Sequence, residues 1–171
     1  MVSSFEYFLQ DTAIVVVSKN PKKVGSSNFT LSEVLDASST EVLVRRAIDD
    51  WLNKLMYKKP AEYLKEFAEV LSINEEPLKA RWKTFVEAKA RRDLGVHNEW
   101  VCNSVYLRKL TEAGVTTEAV VGISMIPDDV YVRKVNLACL DLASRITQLV
   151  LDVHWPGTSM NELDFTWEEN G

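Results

Sequence analysis

Between Arg91 and Asn98 the chain reads RRDLGVHN, and one of its two histidines, His97, follows Arg92 by five positions. Arginine presents a permanent planar charge whose fork matches phosphate oxygens. Histidine is the side chain that takes or gives a proton near neutral pH. Together they suffice for metal-free RNA cleavage. The imidazole would manage the 2′-hydroxyl or leaving-group proton while the guanidinium stabilises the charge of the phosphorane. The plainer alternative is that Arg92 caps a helix C-terminus and His97 is a half-buried core histidine.

Such chemistry needs elements to position it. Leu78, Trp82, Phe85, Lys89 and Arg92 recur at four-three-four-three spacing, one helical stripe that begins apolar and ends cationic. Gly95 is the residue that best tolerates a left-handed helix stop. A new helix is expected from His97, with Asn98 as its cap; His97, Val101, Val105 and Arg108 share a face, and Gly114 closes the segment. On this reading Arg92 and His97 stand at facing ends of two consecutive helices and point into the cleft between them.

The rest of the chain also reads as helix. Val44, Ala47, Ile48, Trp51, Leu52, Leu55 and Met56 form one apolar stripe. Pro60 suits the first turn of the next helix, in which Leu64, Phe67, Ala68 and Leu71 share a side. Another helix begins near Pro77. FEYFLQDTAIVVVSK is read as a first helix despite its β-branched run, and Asn20 to Ser39 is the longest loop candidate, with SSTE a possible helix start. After MIPDD, the residues Val132, Val135, Cys139, Leu142, Ile146, Leu149 and Val153 make an a/d seam, flanked by Val130, Leu137, Leu140, Ala143 and Val150. A seam of this kind packs inside a bundle or forms a dimer interface. Trp155 and Pro156 end it. The expected organisation is one all-α domain over 1–155 and an acidic tail over 156–171.

Composition sets the remaining limits. Six glycines and five prolines leave few turns, which argues against a β-sandwich. No stretch approaches the apolar length of a membrane span, and MVSSFEYFLQ lacks the basic region of a secretory signal, so no membrane partner and a cytoplasmic location are expected. Cys102 and Cys139 read as reduced core residues. The net charge of −5 speaks against a general nucleic-acid binder. Lys79 to Lys109 nevertheless holds eight basic residues against three acidic, a local surplus of five that leaves the rest at −10. Charge runs are usually solvated faces, but Lys89, Arg91 and Arg108 are candidate phosphate contacts. No metal or cofactor is expected: the cysteines and histidines match no zinc spacing, Asp49–Asp50 and Asp128–Asp129 are splayed pairs, and no glycine-rich phosphate loop exists. His154 reads as a helix C-terminal histidine.

The segment RRDLGVHNEWVCNSVYL resembles the signature of the HEPN superfamily, small all-α domains marked by arginine, four to six residues, then histidine. Asp93 is the polar residue after the arginine, Asn98 follows the histidine, and Tyr106–Leu107 is similar to a pair in the next helix. The resemblance covers residues 41 to 154. It implies an up-and-down bundle of four to five helices with a long last helix, dimerising so that two motifs share a cleft. It further implies a metal-independent endoribonuclease in a toxin–antitoxin, defence or RNA-processing setting, with an antitoxin or other protein as a possible partner. Arg92 and His97 would carry the chemistry, with Asp93 orienting them and Asn98 contacting the phosphate or capping a helix. Glu99 stands where some relatives have a modified tyrosine. The alternative, which remains open, is a non-catalytic HEPN-like helical dimer that serves as a protein-interaction or nucleotide-binding module.

Overall fold

The computed structural model describes residues 2–25 and 27–158. Among them are seven α-helices and no strand: α1 (Val2–Lys19), α2 (Leu31–Asp36), α3 (Thr40–Met56), α4 (Pro60–Leu71), α5 (Lys79–His97), α6 (Ser104–Glu112) and α7 (Asp129–His154). Short 3-10 turns over Pro21–Val24 and Glu76–Leu78 lead out of α1 and into α5. No helix among the described residues is long and apolar enough to cross a membrane.

Local chemistry accounts for several helix starts. Pro60 opens α4, where its missing N–H costs nothing. Thr30 and Glu33 close a capping box on α2, inside the stretch expected to be loop. Asp128 accepts the Tyr131 N–H at the start of α7. The run AIVVV stays helical because Ala13, Val16 and Val17 turn into the core, so tertiary burial overrides β-propensity.

Helices α1, α3, α4 and α7 and the first half of α5 enclose one apolar core, with Leu9, Phe67, Phe85, Leu142 and Ile146 fully buried. Trp51 and Trp82 pack there too, their indole N–H groups donating to Glu66 and to the Pro60 carbonyl, both at 3.0 Å. The seam of α7 is buried at Val135, Cys139, Leu142 and Ile146; Val132 and Val153 at its ends are exposed, as are Val130, Leu137 and Leu140. Both cysteines are free and buried, and burial pushes their thiols up. A second, smaller core collects Ala90 and Leu94 of α5 with Cys102, Tyr106 and Leu110. The helix stop expected at Trp155 holds, while Ser159–Gly171, most of the acidic tail, lies outside the described residues.

Candidate functional site

The structure corrects the local geometry around the motif. Helix α5 does not stop at Gly95; it runs on to His97. Gly95 is needed for a different reason. The Trp100 ring lies against it so closely that a Cβ there would clash with the ring carbons. Nor does a helix begin at His97. Asn98 is the C-cap of α5, its N–H donating to the Leu94 carbonyl and its side-chain amide to the Val101 carbonyl at 2.6 Å. The chain turns through Glu99 and Trp100, both at positive φ (50° and 63°), a conformation non-glycine residues adopt only when their surroundings impose it. What imposes it is pairing with the α6–α7 loop: Cys102 N–H donates to the Ile123 carbonyl and Met125 N–H to the Trp100 carbonyl. Helix α6 then starts at Ser104, capped by Asn103, whose side chain accepts the Tyr106 N–H at 2.9 Å. Gly114, at φ 63°, ends it as expected.

Arg92 and His97 therefore share one helix. Five residues correspond to about 7.5 Å along the axis and about 140° around it, so the two side chains leave α5 on different faces. Arg92 turns toward α1. Its guanidinium donates to Glu6 at 2.6 Å and to Asp93 at 3.1 Å, with a longer contact of 3.3 Å to Ser3. Glu6 also holds Lys89 at 2.6 Å, and Asp93 holds Lys109 of α6 at 2.8 Å. The cationic end of the predicted stripe thus meets a carboxylate on the neighbouring helix. Burial alone would raise the Asp93 carboxyl; the hydrogen bonds from Lys109 and Arg92 outweigh it and hold the group below its usual range. His97 is exposed on the last turn of α5, and its side chain makes no hydrogen bond among the described residues.

Of the candidate phosphate contacts, Arg91 goes elsewhere. Its Nε donates to Glu87 at 2.8 Å and its guanidinium lies over the Tyr131 ring, 3.9 Å from the centroid. Glu87 also accepts the hydroxyls of Tyr106 (2.7 Å) and Tyr131 (2.6 Å), joining α5, α6 and α7 through one carboxylate. Burial, then the bond to Glu87, pushes both phenols up. Nothing in the one-dimensional pattern marked Glu87, whose partners are 19 and 44 residues away. The basic surplus of residues 79–109 is also largely answered. Lys79 pairs with Glu75 and Glu76, Arg81 with Asp141, and only Lys83 and Arg108 have no ion-pair partner among the described residues.

No model of a known protein family matches the chain, and neither does any curated protein or solved structure. The site is then read from its own geometry. Beside Arg92, a recess of about 240 Å³ is lined by Ser3, Arg91, Trp100, Tyr131 and Asn136. Among the described residues no group of three or more histidine, cysteine, aspartate or glutamate side chains is arranged to hold a metal ion. A half-buried arginine, an aromatic wall and an exposed imidazole one and a half turns further on are parts suited to phosphate and base contacts. Within one copy they do not converge on a single point. His154, at the other end of the molecule, closes α7 with its Nε2 2.7 Å from the Leu71 carbonyl.

Proposed function

We propose that the chain is a HEPN-like, metal-independent endoribonuclease that acts as a homodimer in the cytoplasm, with α1, α3, α4, α5 and α7 as its up-and-down bundle. The observation that carries this reading is the placement of His97, exposed and with no side-chain partner among the described residues, at the end of the helix that holds Arg92. Because the two side chains leave α5 on different faces, one phosphate is reached by both only when a second copy brings its own motif alongside. Exposed apolar side chains at Val96 beside the motif and at Val130, Leu137 and Leu140 on α7 supply surface for that copy. In the composite cleft His97 moves the proton of the 2′-hydroxyl or of the leaving group, and Arg92 stabilises the phosphorane, leaving 2′,3′-cyclic phosphate and 5′-hydroxyl ends. Asp93 fixes the guanidinium, and Asn98 fixes the turn that presents His97. A toxin, defence or RNA-processing setting, with an antitoxin or other protein partner, belongs to the same reading.

One observation favours a second reading. Arg92 already satisfies two carboxylates, so the motif also works as a clamp between α1 and α5, as it would in a non-catalytic helical interaction module. The deciding experiment is RNA cleavage in excess EDTA by the wild type, Arg92→Ala and His97→Ala, with dimerisation followed in parallel. The expected outcome is wild-type cleavage that falls by about 10²-fold or more in each variant while the dimer persists. Cleavage surviving His97→Ala sinks the nuclease; no cleavage by any of the three, in dimers, selects the interaction module.

A further inference from the structure

On the side of α5 away from Glu87, the α3–α4 turn, α5 and α6 surround a cleft of about 430 Å³. Its rim is cationic: Lys58 and Lys59 from the turn, Lys89 from α5, and Arg108 and Lys109 from α6, against a single carboxylate, Glu112. Lys58, Lys89 and Lys109 are partly neutralised by Glu66, Glu6 and Asp93, whereas Lys59 and Arg108 are exposed and have no ion-pair partner among the described residues. Its floor is aromatic. Trp82 stacks at a tilt on Phe85 and meets the edge of Tyr63, with ring centroids 5.1 and 5.2 Å apart. Tyr57, 91% exposed, stands at the entrance and offers a free ring face. Tyr63 is 6% exposed, and its hydroxyl, which makes no side-chain hydrogen bond among the described residues, is open to solvent. The phenol is a neutral O–H donor at physiological pH, as any tyrosine is, and burial with Glu6 nearby pushes it further up.

We propose that this cleft binds a nucleoside phosphate, free or as one nucleotide of an RNA strand, with the base against Tyr57 and the aromatic floor and the phosphate on Lys59 and Arg108. Permanent and mobile cations converge on a concave volume of small-ligand size, which a merely solvated charged face does not provide. An exposed ring at the mouth of a cationic groove is the arrangement on which bases stack. The proposal does not depend on cleavage at His97. If the strand is the source, Lys89 of α5 and Lys109 of α6 lie on the side of the cleft toward Asp93, and Ala90, Asp93 and His97 recur on one stripe of α5 at three-four spacing.

The test is calorimetric titration of the full chain with ATP, inorganic triphosphate, a ten-residue oligouridylate and a ten-residue glutamate peptide. The oligouridylate is titrated into His97→Ala so that it survives the measurement. Saturable binding of ATP or oligouridylate is expected, weakened about tenfold or more by Lys59→Ala/Arg108→Ala, whose exposed side chains are removable without disturbing either core. Tyr57→Ala should weaken the two nucleoside probes and leave triphosphate unchanged. Tight ATP identifies the free nucleotide as the source, and oligouridylate alone identifies the strand. Triphosphate binding as tightly as ATP, the glutamate peptide binding as tightly as either, or binding indifferent to the double variant each overturns the proposal. Binding with no RNA cleavage by the wild type leaves it standing and removes only the nuclease.

Discussion

The two halves of α5 are built on different physics. From Lys79 to Ala88 the helix presents Trp82, Phe85 and Val86 to the large core shared with α1, α4 and α7. From Lys89 to His97 it contributes only Ala90 and Leu94 to a small core and Gly95 to the Trp100 ring, and much of its remaining attachment is polar: Lys89 and Arg92 to Glu6, Asp93 to Lys109. The adjacent arginines repeat the contrast. Arg91 is held inside by Glu87 and the Tyr131 face, and Arg92 at the surface by two carboxylates. Burying apolar area is unconditional, while ion pairs near the surface are weak and depend on pH and salt. The Arg92–His97 end of the helix is thus the end held by adjustable contacts, which by themselves oppose local opening less than buried apolar area does.

The junction between the halves is Glu87, and it gives the largest expected effect. Glu87→Ala strands one guanidinium and two tyrosyl hydroxyls that together tie α5 to α6 and α7. The expected loss is about 3 kcal/mol, since removing one member of a mostly buried charged network leaves its partners unsatisfied. For a chain of this size that is a fall in Tm of about 10 °C, read by thermal unfolding followed by circular dichroism. Arg92→Ala, which strands less because Glu6 keeps Lys89, should cost under about 1 kcal/mol. Equal losses in the two variants would erase the distinction between the halves.

That distinction was only partly legible in the amino-acid pattern. The stripe Leu78–Trp82–Phe85–Lys89–Arg92 reads correctly as one face, because helical periodicity survives in a single sequence. So do Pro60 at the start of α4 and Gly114 after α6, where covalent structure decides the conformation. Gly95 was misread because a helix-stopping glycine and a glycine making room for a ring look alike; the ring, Trp100, is placed by pairing with residues 123–125, which no local rule anticipates. Asn98 and Asn103 are equally good caps by composition, and only the loop pairing chooses the second. The partners of the charge surplus were hidden for the same reason, since Glu6, Glu75, Glu76 and Asp141 lie outside the basic segment. In the YKKP stretch only Pro60 carries a local signal, that of a helix start, although Tyr57, Lys58 and Lys59 form one wall of the cationic cleft.

A smaller effect isolates the backbone contact at the motif end. Gly95→Ala would ordinarily stabilise a helix interior by about 1 kcal/mol. Here the added methyl meets the Trp100 ring, and overpacking should reverse the sign to a net loss of about 1–2 kcal/mol. In a Trp100→Ala background the clash is gone, and the same substitution should become stabilising by about 0.5–1 kcal/mol. The double-mutant cycle, read by urea denaturation, reports the coupling directly. A Gly95→Ala variant that is stabilised in both backgrounds would show that Trp100 does not rest on the helix.

The smallest effect concerns the polar ties themselves, and pH exposes it. The Asp93 carboxyl in the folded chain lies below its ordinary 3.8, since the hydrogen bonds from Lys109 and Arg92 outweigh the opposing effect of burial. A depressed carboxyl contributes stability that is fully present above the unfolded value and is lost as the pH falls through the folded one. Asp93 is more than a quarter exposed, so its share is under about 1 kcal/mol. Wild type should therefore exceed Asp93→Asn by that margin at about pH 6, with the gap closing toward zero as the pH drops to about 3. The same gap should narrow in high salt at pH 6, because both cations are partly solvated. A gap indifferent to both variables would mean that packing, not charge, holds the end of α5. Arg92 would then be free to leave Glu6 and Asp93 for a phosphate at little cost to the fold.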